Sequence, residues 1–280
     1  MAINLTTAFV TLFDAEVKQA YQAEAALRGA VRVRSGVEGS TYKFPKIGKG
    51  VAQVRVPQTD VAPLNVTYGQ ITVTLADYIA AEYSDIFMQQ KVNFDERREL
   101  VQVVSKAIGR RQDQIILDAL SASSTSLTVS NDIGGTDTNL NVAKLREAKR
   151  LMDGNNVPMD NRHIIIHADS LSSLLSETSV TSSDFNTVKA LVSGEVNTFL
   201  GFTFHTLGDR AEGGLPIDGS NDRTLYAFHK DAIGMAEGIA PKTEINYVPE
   251  KTSFLVAAMF SAGSSAIDDE GIVKLTCRES

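Results

Sequence analysis

The chain has 280 residues, 43% of them apolar and 22% charged, enough to bury a substantial core in one large domain or two modest ones. With 34 acidic against 27 basic residues its formal net charge is −7, which argues against a protein whose main surface wraps nucleic acid, because phosphate binding needs concentrated Lys and Arg. The single cysteine, Cys277, excludes an intrachain disulfide and a four-thiolate metal site.

Met1–Phe13 lacks the basic start and sustained apolar run of a secretory leader, and no stretch approaches the roughly 18 apolar residues that span a bilayer. A soluble protein made in a reducing cytoplasm is the expectation. Ala8–Leu27 is predicted to be a helix, with Phe9, Leu12, Phe13, Val17 and Ala20 at three- and four-residue spacing and Gly29 as a C-cap. Val31–Val37 then alternates, with Val31, Val33 and Val37 on one face and Arg32 and Arg34 on the other. Thr41–Pro45, a turn at Gly48–Gly50 and Val51–Pro57 follow in the order of a long hairpin with a flexible tip. Its faces are weakly apolar, so alone in water it would be marginal and needs another surface. From Met1 to Asp60 eight basic residues stand against five acidic ones, a polarity suited to acidic neighbours or nucleic acid.

Val66–Leu75 is predicted as a strand with Ile71, Val73 and Leu75 on one face, and Tyr78–Met88 as strand followed by a short helix. Asp95–Leu120 carries the strongest helical pattern. Leu100, Val104, Ala107, Ile108, Ile115 and Ala119 form its stripe, while Glu96, Arg97, Arg98, Glu99, Arg110, Arg111 and Asp113 occupy much of the remainder. Gly109 inside it costs about 1 kcal/mol relative to Ala and marks a bend, a close crossing or a tolerated glycine.

Ser121–Asn139 is a polar loop, after which Asn141 caps a helix to Met152 that buries Ala143, Leu145, Ala148, Leu151 and Met152. Arg162–His167 holds three consecutive isoleucines, a buried strand, and Asp169 is placed to cap Ser170–Leu175. A short helix at Phe185–Val192, a turn into a strand at Phe199–Phe204, a polar loop at Asp209–Arg223 and a strand at Leu225–Phe228 complete an α/β unit over roughly 120–240. Three strands close the chain: Thr243–Val248, Ser253–Phe260 and Gly271–Cys277.

Compact chemical motifs are missing. His163 and His167 share a strand face at spacing four, but no third ligand is identifiable, and ordinary hydrogen bonding is favoured over a metal. Asp268-Asp269-Glu270 lacks the alternating oxygen ligands of a calcium loop and reads as a solvated turn, while Cys277 reads as a small core residue. No phosphate loop, dinucleotide fingerprint or nucleophile elbow occurs, so no catalytic, metal or cofactor-binding residue is assigned and no cofactor is expected.

The order of elements, from helical arm through basic hairpin and long charged helix to an α/β region and closing strands, resembles the tailed-bacteriophage major capsid proteins. Phe199-Leu200-Gly201-Phe202-Thr203-Phe204-His205-Thr206-Leu207 is similar to the family's G-F-x-V/I strand, as Ile239–Val248 followed by the strand at Phe254 is to its later strands. The resemblance implies an α+β, Hong Kong 97-type fold. Its parts would be an N-terminal arm (1–34), an extended E-loop lying over an adjacent subunit (35–66), a peripheral domain (67–124 and 239–280) with spine helix 95–120, and an axial domain (125–238).

It implies a non-enzymatic virion protein, synthesised in the host cytoplasm, that assembles through pentamers and hexamers into an icosahedral shell around double-stranded DNA. Implied partners are the chain itself, a portal protein, a separate scaffolding protein, a decoration protein and non-specific contact with packaged DNA, with no membrane. The hairpin residues Lys43, Lys46, Lys49 and Arg55 would contact neighbouring subunits, as would Phe9, Phe13, Arg28, Arg32 and Arg34 of the arm. Leu100, Val104, Ile108 and Ile115 would pack the spine helix. Some relatives crosslink an E-loop lysine to a neighbouring asparagine; ordinary salt bridges are the expectation here. Two other readings stay open: a soluble α/β enzyme with residues 36–65 as a flap, and a phage tail or tube component.

Overall fold

Residues 25–55, 57, 58, 60, 61, 63–91, 95–177 and 198–279 are described by a computed structural model. The predicted helix at Phe185–Val192, and all of Ala8–Leu27 before residue 25, lie outside them. Strands β1 (Arg32–Ser35), β4 (Ala76–Asp85), β10 (Ile233–Val248) and β11 (Ser253–Ala266) form a sheet in the order β1-β10-β11-β4. A short helix, α1 (Ile86–Gln89), continues β4. Helix α2 (Glu96–Ser121) crosses one face of this sheet, its 26 residues extending about 39 Å. Asp95 caps it by accepting from the Arg98 amide, and Glu96 and Glu99 complement the helix dipole in the first turn.

Along the first half of α2 only a stripe is buried, Val104 and Ile108, with Leu100 half-buried against the same core. The second half differs: every residue from Gln112 to Leu117 is buried. Arg110 and Asp113, expected on a solvated face, are covered by the loop that follows residue 207. Arg110 Nε donates to Glu212 at 2.8 Å, Arg210 Nη1 to Asp113 at 2.9 Å, and the Gly214 amide to Gln114 Oε1 at 2.8 Å. Hydrogen bonding across this loop replaces the water that a polar helix face would otherwise need.

A second sheet runs in the order β5-β12-β9-β6-β8-β7, comprising β5 (Thr128–Val129), β6 (Arg162–His167), β7 (Thr198–Phe199), β8 (Phe202–Leu207), β9 (Asp222–His229) and β12 (Ile272–Arg278). Leu200 and Gly201, both at positive φ, make the tight turn from β7 to β8. Helices α3 (Val142–Gly154) and α4 (Ala168–Ser176) flank this sheet. Asn141 caps α3 as expected, accepting from the Lys144 amide at 2.8 Å. The cap of α4 is the His167 ring, which accepts from the Asp169 amide, and not Asp169 itself.

The closing strands part company. β10 and β11 pair antiparallel in the first sheet, whereas β12 joins the second, between β5 and β9, and does not complete the sheet beside α2. Val273, Leu275 and Cys277 on one face, with Ile272 at the start of the strand, are fully buried, while Lys274, Thr276 and Arg278 on the other face are half-buried. The chain passes between sheets at Lys230–Ala232 and again at Asp269–Gly271, and the Ile267 amide bonds to Ala232 O at 2.7 Å where the two passages touch.

The ribbon also departs from expectation. β2 (Thr41–Ile47) pairs with β3 (Tyr68–Thr74), in the register Phe44 to Ile71, and not with Val51–Pro57; residues 48–67 form the tip. β1 belongs to no hairpin: it runs parallel to β10 from Arg32 opposite Gly234. Residues 25–27 are not helical, because Asp113 takes the amides of Ala26 and Leu27, and Gly29 sits inside a 3-10 turn, Arg28–Ala30.

Candidate intersubunit surface

The ribbon has two unlike faces. Tyr42, Phe44, Ile71 and Val73 point inward, and Phe44 and Val73, 1% and 2% exposed, pack with Ala236 and Ile267 into a small core of their own. Two glycines permit that approach. A Cβ on Gly234 would lie 2.7 Å from the Phe44 ring, and one on Gly263 only 2.1 Å from the Thr74 carbonyl oxygen. On the other face Thr41, Lys43, Pro45, Ile47, Tyr68, Gln70, Thr72 and Thr74 are all exposed. Ile47 stands opposite Tyr68, which is 82% exposed, and the tip continues the apolar surface with Val51, Val54, Val61 and Leu64, Val54 reaching 93%. A monomer has no reason to present such a row to water unless another surface covers it.

The basic residues assigned to contacts with neighbours divide. Lys46 donates to Asp268 at 3.0 Å and Lys49 bonds Glu270, so both are engaged with carboxylates of their own chain. Lys46 stands near the tip end of β2 and Lys49 at the start of the tip, both across from the turn carrying these acids. Lys43 and Arg55 are exposed, on the outer face and in the tip. Arg28 makes a two-pronged bond to the buried Glu237, at 2.7 and 2.8 Å, and Ser35 adds a third donor. Hydrogen bonding from Arg28 holds the Glu237 carboxyl below the usual carboxylate range. Arg32 lies 5.9 Å from the Phe44 ring centroid, while Arg34 is exposed. Phe9 and Phe13 lie outside the described residues. Of the spine-helix residues, Val104, Ile108 and Ile115 are buried and Leu100 packs at the margin.

A second apolar surface lies on the face of the four-stranded sheet away from α2. Ile79 and Tyr83 of β4 are exposed there beside half-buried Leu255 and Met259, and exposed Phe87 follows in α1. Lys251 covers part of it, its Nζ 4.0 Å from the Tyr83 ring centroid.

Several buried polar centres gave no signal in the sequence. Lys144 of α3 is fully buried, donating to Thr138 O at 2.6 Å and Thr276 O at 2.9 Å. Burial lowers its pKa and pushes the neighbouring Cys277 thiol up to about 11. His163 Nδ1 and His205 Nε2 lie 3.1 Å apart, one ring donating to the other, and burial lowers both pKa values, that of His163 to about 4. His167 Nδ1 lies 3.1 Å from Glu279 Oε1. His167, Asp169 and Glu279 stand close enough to share a cation, but Glu279 Oε1 already accepts from Arg223 Nε at 2.6 Å, and Arg223 also binds Asp209. A guanidinium therefore neutralises the cluster where a metal would have to sit.

A two-sheet α+β body, one long helix across the smaller sheet and a projecting ribbon define the Hong Kong 97-type capsid fold. The chain matches the family model for phage capsid protein over residues 5–279 and belongs to that family, whose role is structural and not enzymatic. Its fold is similar to the capsid structure of cyanophage P-SCSP1u, with a TM-score of 0.77 at 16% identity, covering 100% of this chain and 96% of the other. The head structure of Helicobacter pylori bacteriophage KHP40 follows at 0.75 and 12% identity, covering 95% of each chain. The capsid of Ralstonia phage GP4 gives 0.74 at 10% identity, covering 96% and 94%. No curated protein matches the chain.

Proposed function

We propose that this chain is the major capsid protein of a tailed bacteriophage, assembling through pentamers and hexamers into an icosahedral shell that encloses double-stranded DNA. The observation that carries this reading is the ribbon tip, whose Val51, Val54, Val61 and Leu64 remain uncovered beside exposed Tyr68 of β3, while its base is anchored in the chain's own core. An anchored base with an open tip is a device for reaching another copy. In this reading residues 1–34 are the arm, 35–66 the E-loop, 67–124 with β10 and β11 the peripheral domain, and 125–232 with β12 the axial domain.

Assembly then needs no chemical step. Each tip gains roughly 25 cal/mol per Å² of apolar surface it buries, and charges such as Lys43 and Arg55 select register more than they add affinity. Modest contacts repeated around a ring compound through multivalency. A portal, a separate scaffolding protein and a decoration protein belong to the same reading, as does loose contact with packaged DNA.

The test replaces residues 50–65 by a short Gly-Ser turn, which keeps β2 and β3. The variant should melt like the parent yet give no closed particles by electron microscopy with the scaffold supplied. Shells of normal size and yield from this variant would overturn the proposed role of the tip.

A further inference from the structure

His163 and His167 share a strand face in sequence, but the ring that folding brings to His163 is that of His205. β6 and β8 run parallel, with His163 opposite Thr203 and Ile165 opposite His205, so the two rings meet diagonally on one face of the sheet. His163 Nδ1 and His205 Nε2 lie 3.1 Å apart, and the ring centroids 5.2 Å. Two ring nitrogens held at roughly 2.0–2.1 Å from one tetrahedral ion stand about 3.3 Å apart. A small rotation of the two rings therefore turns a hydrogen-bonded pair into two ligands of one ion. Both side chains are half-buried, which leaves solvent a way in.

We propose that His163 and His205 form a two-histidine site for a divalent transition cation of the zinc, nickel or copper type, which clamps β6 to β8. The donors decide the class of ion: imidazole nitrogen suits these metals, whereas calcium and magnesium take oxygen. Charge does not oppose binding. Burial lowers both pKa values, that of His163 to about 4, so both rings are neutral near pH 7 and each has a nitrogen lone pair to give. The proton between the rings passes, by exchange with water, to the outer nitrogen of the ring that carried it, and the pair binds without losing a proton. Among the described residues no carboxylate joins the two rings as a third ligand. Asp113, the acid whose charge reaches His205, is already held by Arg210 and by the amides of Ala26 and Leu27. Water fills the remaining positions. The other two histidines are engaged elsewhere: His167 lies about 13 Å further along β6, beside Glu279, and His229 Nδ1 accepts from the Asp231 amide. An ion bound across two strands holds the folded chain and not the unfolded one, and so stabilises it.

The test uses the whole chain, free of affinity tags and stripped with chelator. It needs no shell, so it can fail without touching the proposed role of the ribbon. Zinc and copper(II) salts are titrated by calorimetry, and the copper form is read by electron spin-echo spectroscopy, which counts coordinated imidazoles. The expected result is one ion per chain held by two imidazoles, with a melting temperature that rises with ion concentration. His163→Gln and His205→Gln should each remove one imidazole and weaken binding by about tenfold or more, the loss that follows when even an outer partner of a metal ligand is removed. His167→Gln, which alters the separate cluster with Asp169 and Glu279, should change neither readout. Parental affinity in both of the first two variants, a loss confined to His167→Gln, or no binding up to millimolar ion would each overturn the proposal. If one of the two variants melts well below the parent without metal, the other carries the comparison.

Discussion

At Asp113 a carboxylate with no exposed surface accepts from the amides of Ala26 and Leu27 and from Arg210, itself only 3% exposed. Removing it leaves a guanidinium buried without its charge partner, a loss of about 3–5 kcal/mol. Asp113→Ala is therefore expected to lower the unfolding free energy by that order in a urea titration, and an effect no larger than a surface substitution would contradict its place as a hub. Gly263 is a different case. An alanine there meets the Thr74 carbonyl, which cannot rotate away, so Gly263→Ala should cost about 1–3 kcal/mol and loosen the ribbon base.

The His163–His205 pair adds a pH dependence with a definite sign. Burial depresses the folded-state pKa of His163 to about 4 from an ordinary value of 6.5, and neighbouring His205, Lys230 and His229 act in the same direction. The unfolded chain therefore takes up its proton first. Stability is full above about pH 6.5 and is lost as the pH falls towards 4. His163→Gln keeps a donor and an acceptor but does not titrate, and unfolding free energies across that window should fall less steeply for the variant than for the parent.

Among elements, the ribbon is held chiefly by one aromatic side chain. Phe44→Ala should cost about 3 kcal/mol, and hydrogen exchange should quicken across β2 and β3 while the centre of α2 keeps its protection. Uniform loss of protection would mean that the ribbon folds as one unit with the body. The pairs from Lys46 and Lys49 are too exposed to replace Phe44, since ion pairs in contact with water contribute little and are screened by salt.

Helix α2 was legible nearly to the residue, because a long apolar period with an Asp cap is a local signal. The pairing of β2 with β3 was not. The glycines at 48 and 50 suggested a tight turn, but register follows where apolar residues can be buried, and Phe44 finds Ile71 across the strand and no partner in Val51–Pro57. Likewise, the alternation of Val273, Leu275 and Cys277 marks β12 as a strand, but which sheet it joins is chosen by what covers each face.

For the whole molecule, assembly should depend on surface that the monomer leaves open. Val54→Lys with Val61→Lys is expected to leave the unfolding free energy within the range of surface substitutions, about 0.5 kcal/mol, while closed particles disappear from sedimentation profiles. Particles formed at parental yield would show that the tip is covered by something other than apolar contact. Within the chain, the two passages between sheets at Ala232 and Gly271 pack together, and one continuous apolar core joins both sheets and α2.

Periodicity, capping and turn chemistry are properties of neighbouring residues, and they determined by themselves the long helix, the helix after Asn141, the isoleucine strand, the polar loop before Arg223 and the likeness to phage capsid proteins. Burial of charge, strand partnership and the division of the closing strands between two sheets were decided by segments far apart in sequence. Asp113 is a solvated residue by its helical position and a buried one only because Arg210 and the start of the chain close over it. Lys46 is a free cation by its neighbours and an internal partner only because Asp268 is folded to within 3.0 Å of it. A local pattern states what a residue can bury; which distant surface arrives to cover it depends on the packing of the entire chain.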